Sequence, residues 1–242
     1  MAADTKASAA IDSSPARSAR HVAVPERVRA PSAVRTAASA AGIPVVQHLH
    51  NARLVCVQPF LVRDGAVCVD CLDTRLGLPG VVHGCYRGSI AQSAAATMIQ
   101  ARQRAATARV AAFVAVSETL ADTIARGGVA SRDRITVCHN ALRVDPGARD
   151  PEKPDAGYAL FVGRLSSEKG VDTLIAAAAQ VPGMRVEIVG DGPERAALEQ
   201  RARDGDATNV TFRGHLDQAT VFRFLRDARC AVAPAPGPET FG

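Results

Sequence analysis

Residues 158–180 read YALFVGRLSSEKGVDTLIAAAAQ. The apolar run Tyr158 to Val162 has the length of a buried strand, and Val171 to Gln180 reads as a helix. Between them lies a polar turn bounded by Gly163 and Gly170. Strand, glycine-bounded turn and helix make one unit of a parallel α/β sheet, because the chain must cross back over the sheet before the next strand can pair.

The alternation continues downstream. Strand Arg185 to Val189 precedes helix Pro193 to Asp204, and strand Val210 to Phe212 precedes helix Asp217 to Asp227 and strand Cys230 to Ala233. Upstream, the polar, proline-rich run Asp145 to Gly157 (DPGARDPEKPDAG) interrupts the pattern and reads as an interdomain linker. Before it, the helix SAVRTAASAAG leads into strand Ile43 to Val46, and a helical stretch covers roughly Ser89 to Ala108, with Ile90, Ala94, Met98 and Ile99 at helical spacing. Strand Ala112 to Val116 runs into helix Glu118 to Arg126, capped by Ser117 and ended by Gly127 and Gly128. Ile135 to Cys138 then delivers His139 and Asn140.

The expected fold class is α/β, with two Rossmann-like parallel-sheet domains. The N-terminal domain covers residues 31–150 and carries a cysteine-bearing insertion at 54–85; the C-terminal domain covers 151–242. Residues 1–30, rich in Ala, Ser, Arg and Pro, read as a flexible leader.

Composition narrows the function classes. Of 242 residues 47% are apolar and 22% charged, with no tryptophan and a net charge of +5. That mild excess suits phosphorylated small molecules or contact with an acidic membrane surface. It argues against nucleic acid, since no basic block is interleaved with aromatics. No apolar run reaches the roughly 18 residues of a membrane span, and the N-terminus lacks the apolar core of a signal peptide. The expected location is cytoplasmic, at most against the inner face of the membrane.

Open α/β sheets gather ligands at the carboxyl ends of their strands, which singles out three turns. In Gly163–Gly170 the glycines allow close backbone approach, the next helix offers free N–H groups, and Arg164 and Lys169 add two positive charges, a set suited to a diphosphate. Taken alone, such a turn is more often a solvated surface loop. The turn VGDGPE, Val189 to Glu194, is a tight strand-to-helix connection and by itself more often structural. The third, PAPGPETFG at 234–242, presents the carboxylate Glu239.

The ordered stretches FVGRLSSEKGVDTLIAAA, VEIVGDGPE, VTFRGHL and APAPGPETFG resemble the donor half of family 4 glycosyltransferases, retaining enzymes of the GT-B fold. AGIPVVQHLHNARLVC, FVAVSETLADTIARGGV and ITVCHNAL resemble elements of that family's first half, so the likeness runs from about Arg20 to Gly242. The resemblance implies transfer of a hexose from a nucleotide-sugar donor to a glycan or lipid-linked acceptor, with retention and without a catalytic metal. It places Gly163, Arg164, Lys169 and Gly190 at the donor diphosphate, where two cations and helix N–H groups stabilise the leaving group. Arg213, Gly214, His215 and Leu216 fall near the nucleotide base. Glu239 matches the first glutamate of the family's E-x7-E motif, and His50 matches the histidine near the transferred sugar. The second glutamate would fall at position 247, no glycine-rich acceptor loop precedes Arg20, and Ala141 replaces the usual glycine after Asn140. The resemblance therefore implies a fragment with both domains incomplete, and its alternative is an inactive chain that at most binds nucleotide.

Cys56, Cys68, Cys71 and Cys85 fall within thirty residues, with C-x2-C at the centre. That spacing admits a structural four-thiolate zinc site, with His83 a weaker ligand, on which the chain reads alternatively as a zinc-containing interaction module. The alternative is a set of reduced, partly buried thiols. Cys138 and Cys230 lie in strands and read as core residues.

Overall fold

The computed structural model describes residues 31–74, 76–141, 147–148 and 155–238. The leader, most of the linker run and Glu239 lie outside the described residues.

The first half contains α1 (Pro31–Ala40), β1 (Val46–Leu49), β2 (Val62–Arg63), β3 (Ala66–Val67), α2 (Leu78–Val82), α3 (Ile90–Ala106), β4 (Ala112–Ala115), α4 (Glu118–Arg126) and β5 (Ile135–Val137). Strands β1, β4 and β5 form a parallel sheet in that order, with Val46 opposite Ala112 and Phe113 opposite Ile135. Its core packs Leu49, Val55, Phe113, Val116, Leu120 and Ile124. Ser117 caps α4 by accepting a hydrogen bond from the Leu120 N–H, which lets the chain turn from strand to helix directly.

The second half contains β6 (Tyr158–Val162), α5 (Val171–Gln180), β7 (Arg185–Val189), α6 (Arg195–Asp204), β8 (Val210–Gly214), α7 (Gln218–Asp227) and β9 (Cys230–Ala231). All four strands are parallel, in the order β8-β7-β6-β9. Alternation along β6 supplies both faces of this sheet. Ala159 and Phe161 pack with Ile175 of α5 and Leu198 of α6, while Tyr158 and Leu160 meet Val221 and Phe224 of α7. The Tyr158 hydroxyl satisfies its polar end by donating to the Phe224 carbonyl at 2.9 Å. Helices thus cover both faces, as parallel sheets require. Between β6 and β9 the strand order reverses direction, and that switch point is where the carboxyl-end loops splay apart into a crevice.

Three expectations need correction. Strand β1 begins at Val46 rather than Ile43, because Pro44 has no N–H to give a ladder. The apolar stripe of α3 faces outward: Ile90, Met98 and Ile99 are exposed, whereas Ser93, Thr97 and Gln100 are buried. The buried face meets loop backbone and needs polar partners; Ser93 Oγ accepts from the Tyr86 N–H, and Gln100 Nε2 donates to the Arg53 carbonyl. Cys138 and Cys230 are exposed rather than core, since they sit on or just past β5 and β9, the edge strands of their sheets. The cysteine-bearing segment contains a hairpin, β2 paired with β3, whose two-residue turn Asp64-Gly65 holds both residues at positive φ (52° and 75°). Among the described residues no helix is long and apolar enough to cross a membrane.

Candidate functional site

The loops that follow β6, β7 and β8 are stitched together by backbone hydrogen bonds. Gly163 N–H donates to the Val189 carbonyl, Leu165 N–H to Asp191, Glu194 N–H to Leu165 and Gly190 N–H to Gly214, at 3.0, 3.0, 3.1 and 2.8 Å. Leu165 is fully buried and anchors the first loop in the core beneath it. Glycine makes the stitching possible. A Cβ on Gly190 would stand 1.8 Å from the Gly163 carbonyl oxygen, and one on Gly192 would stand 2.2 Å from that of Leu165. Neither clash could be relieved by a rotamer change, since both neighbours are backbone.

The fourth loop enters at the switch point. Gly170 has φ 65° and begins α5 in the left-handed region; a Cβ there would lie 2.2 Å from the Pro234 carbonyl oxygen, just past β9. The start of α5 and the 234–238 loop are therefore in backbone contact. Above them Arg164 is exposed and Lys169 half-buried, and Ser166 Oγ donates to Glu168 Oε1 at 2.7 Å. Arg164 and Lys169 are both positively charged and flank the turn that leads into the N-terminus of α5, the end where a helix dipole favours anions. At the β7 end, Arg195 pairs with Asp191 at 3.0 Å and Glu199 at 2.8 Å. The Gly192 N–H, and then Arg195, hold the Asp191 carboxyl below the usual range, with His215 contributing from nearby.

Opposite this edge stands the first half of the chain. A cavity of about 120 Å³ is lined by Asn51, Phe60 and Val62 on one side and by Glu168, Lys169 and Gly237 on the other. The halves touch closely there, since a Cβ on Gly237 would stand 2.3 Å from Val62 Cγ2. His50, the residue before Asn51, is exposed at the end of β1, its ring edge-on to His48 with centroids 4.3 Å apart. Burial, then the His50 charge, lower the pKa of His48. A larger cavity, about 290 Å³, lies along α3 between Arg53, Tyr86 and Gln100, and none of the site residues expected from the sequence lines it.

The structure thus brings Gly163, Arg164, Lys169, Gly190, Gly214 and His215 to one sheet edge, with His50 next to a residue that lines the facing wall. Arg213, on β8, is engaged in an ion pair. Its guanidinium is held by the buried Glu187 carboxylate at 2.6 and 3.0 Å, because Arg213 lies two residues beyond Thr211, the residue opposite Glu187, and so shares its face of the sheet. That pairing raises its pKa. Leu216 is half-buried against the core formed by Tyr158, Leu160 and Val189. Glu239 lies outside the described residues. Asn51, Phe60 and Val62 were absent from the sequence-derived set; for Val62 the Asp64-Gly65 turn of its hairpin was the available signal.

Cys56, Cys68, Cys71 and Cys85 line one small cavity, unbridged. The expected zinc site is not formed: among the described residues no group of three or more His, Cys, Asp or Glu side chains stands ready to hold a metal ion. Burial pushes the thiol pKa values of Cys56, Cys71 and Cys85 up, that of Cys71 to about 11, which favours the neutral thiol over the ligating thiolate.

Residues 156–242 match the family described as "Glycosyl transferases group 1". Among curated proteins, the glycogen synthase of Mycobacterium tuberculosis is 35% identical over 108 residues, covering 42% of this chain and 26% of that protein. The D-inositol 3-phosphate glycosyltransferase of Mycolicibacterium smegmatis is 34% identical over 129 residues, covering 47% of this chain and 29% of that protein. These matches span between a quarter and a third of the relatives' lengths. Among solved structures, Anabaena Alr3699/HepE in complex with UDP superposes with a TM-score of 0.60 at 19% identity, over 87% of this chain and 52% of that one. The same protein with UDP and glucose gives 0.56 at 18% identity. The fold is that of GT-B glycosyltransferases, with parallel α/β sheets.

Proposed function

We propose that this chain forms the donor-binding cleft of a retaining, family 4 type glycosyltransferase that moves a hexose from a nucleotide sugar to a glycan or lipid-linked acceptor. The observation that carries this reading is the convergence of glycine-stitched loops at the switch point, with Arg164 and Lys169 above the start of α5. In this reading Arg164, Lys169 and the free N–H groups of α5 take the donor diphosphate. As the glycosidic bond breaks, negative charge grows on the departing phosphate oxygen, and fixed cations and dipoles stabilise it without needing a metal. His215 lies at the nucleotide side, beside Asp191. His50 approaches the transferred sugar from the opposite wall, and Glu239 would extend the 234–238 loop toward the same sugar.

The Anabaena structures carry UDP and glucose, which makes UDP-glucose the first donor to try. The exposed Leu78 and Val82 of α2, with Ile90, Met98 and Ile99 of α3, support a lipid-linked acceptor or contact with the inner face of the cytoplasmic membrane. Calorimetric titration with UDP-, GDP- and ADP-sugars tests the donor reading. Binding of one nucleotide class, competed by its free diphosphate, is the expected result. A folded chain that binds none of them would refute it.

A further inference from the structure

We propose that the cavity along α3 seats the acceptor, and that the group received there is a polyol phosphate, such as a phosphorylated sugar. At about 290 Å³ the cavity lies at the small end of ligand pockets, which run from roughly 300 Å³ upward, so it suits a small group rather than an extended chain. Gln92, Ala96, Ile99 and Gln103 line it from α3 at i, i+4, i+7 and i+11, one stripe with an amide at each end and an apolar middle. Each amide offers two donors and one acceptor group to hydroxyls. Tyr86 adds an aromatic ring with a polar end.

The surroundings set the charge of the ligand. Arg53 lines the cavity and no carboxylate does. The Arg87 guanidinium lies over the Tyr86 ring, 5.5 Å from its centroid, which puts a second cation beside a lining residue. Among the described residues neither arginine is paired with a carboxylate. Residues 74–117, which supply α2, α3 and β4, hold five arginines and no Asp or Glu, in a chain with 24 acidic residues. An anion therefore meets two guanidinium forks here, the groups that match phosphate geometry.

The cavity walls are fixed in advance. Both walls are held by polar side chains from the inward face of α3: Ser93 Oγ accepts from the Tyr86 N–H at 2.8 Å, and Gln100 Nε2 donates to the Arg53 carbonyl at 2.7 Å. Arg87 sits at φ 57° between Gly84 and Gly88, at 58° and 66°, a strained turn kept beside the cavity. On the other side the Arg53 N–H donates to Asn51 Oδ1 at 3.0 Å, and Asn51 lines the cleft between the two halves. Two residues span at most about 7 Å, so cavity and cleft adjoin along one short segment. In transfer a hydroxyl oxygen of the seated group bonds to the anomeric carbon of the donor sugar. The bond to the diphosphate breaks, the diphosphate keeps the electron pair, and the hydroxyl proton leaves to water. The acceptor role rests on the proposed function; occupancy by a polyol phosphate does not.

The test is calorimetry on the whole chain with glucose 6-phosphate, glucose, inorganic phosphate and UDP. Phosphatidylcholine vesicles with and without phosphatidylinositol present the same chemistry as a lipid headgroup. Saturable binding of glucose 6-phosphate, or binding only of the phosphatidylinositol vesicles, supports the site and tells a free ligand from a lipid. Arg53→Ala should weaken that binding about tenfold or more. Ala95→Phe, at an exposed lining position, fills the cavity without removing a polar group and should do the same at an unchanged unfolding midpoint. Arg109→Ala, in the same basic stretch but outside the lining, should not, and UDP should not compete. Binding in neither arm, an equal loss on Arg109→Ala, or no loss on Arg53→Ala and Ala95→Phe would overturn the site. Competition by UDP would overturn it too, by placing the sugar phosphate in the donor cleft. Glucose bound as tightly as its phosphate overturns the anionic part, and inorganic phosphate bound as tightly overturns the polyol part. A chain that binds glucose 6-phosphate but no nucleotide keeps the site and overturns its role as acceptor seat.

Discussion

Gly170→Ala separates a donor site built on backbone contact from one built on side-chain charge alone. The substitution adds one methyl and removes no polar group. Two costs follow. At φ 65° an alanine is strained by roughly 1–2 kcal/mol relative to glycine. Its Cβ would also stand 2.2 Å from the Pro234 carbonyl oxygen, where contacts under 3.0 Å essentially never occur, so the two segments must part by about 0.8 Å. The 234–238 loop is the part that yields. It hangs from β9, which pairs with β6 through two residues, whereas α5 is anchored by the buried Val171, Leu174 and Ile175. Stability should fall by about 1–2 kcal/mol, a drop of roughly 2–8 °C in the unfolding midpoint for a chain of this size. Nucleotide-sugar affinity should fall further, by about 10–100-fold, equivalent to losing one charge-assisted contact of roughly 1.5–3 kcal/mol. Calorimetry and thermal unfolding read the two effects separately. Gly183→Ala is the control, because nothing lies within 4 Å of that position and neither quantity should fall. Were Gly170→Ala to bind the same nucleotide as tightly as the unmodified chain, the contact between α5 and the 234–238 loop would play no part in the donor site.

Lys169→Ala and Arg164→Ala should each weaken nucleotide-sugar binding about tenfold or more while leaving the unfolding midpoint within a few degrees, and the loss should shrink as salt is raised. An unchanged affinity in both would remove the diphosphate reading of this turn. Arg213→Met should lower stability by about 2–3 kcal/mol, below the roughly 3–5 of a fully buried broken pair because Arg213 is 45% exposed. Adding Glu187→Gln should recover part of that loss in denaturant unfolding, and full binding of nucleotide in the double variant would confirm a structural role. Asp217 caps α7, and its carboxyl is held below the usual range chiefly by the Thr220 N–H. Its stabilisation is present above the ordinary carboxylate range and lost as pH falls through the depressed value, because the unfolded state takes up the proton first. The midpoint difference between the unmodified chain and Asp217→Ala should therefore close on acidification; a difference that widens would reverse the sign.

Strands β6 and β7 and helices α4 and α5 are legible at their true bounds because their signals are local: an apolar run of strand length, a glycine turn, a serine cap. Signals that depend on distant partners are not. The buried face of α3 is polar because Gln100 must satisfy the Arg53 carbonyl, 47 residues away, and helical periodicity carries no trace of that requirement. The ion pair of Arg213 with Glu187, 26 residues away in sequence, likewise depends on how β7 and β8 align. The hairpin β2–β3 has a clear Asp64-Gly65 turn, but strands of two residues leave no alternation to confirm it. Edge position likewise decides that Cys138 and Cys230 are exposed, and edge position is a property of sheet order rather than of any one stretch.

The two walls of the cleft are held by different means, with consequences for how the site can vary. The sheet-edge wall is over-determined: Leu165 is buried to the last atom, four backbone hydrogen bonds cross between loops, and glycines sit where any Cβ would strike backbone. Substitution there is punished through the fold itself, so the phosphate-side geometry has little freedom. The facing wall carries Asn51, Phe60 and Val62 on a segment with one short ladder. A change of side chain at Phe60, 42% exposed toward the cavity rim, alters what lies against Lys169 without breaking a strand or a core layer. Differences in the group carried by the donor should therefore be accommodated on that thin wall. Under the proposed function the diphosphate end, common to nucleotide-sugar donors, falls to the rigid one.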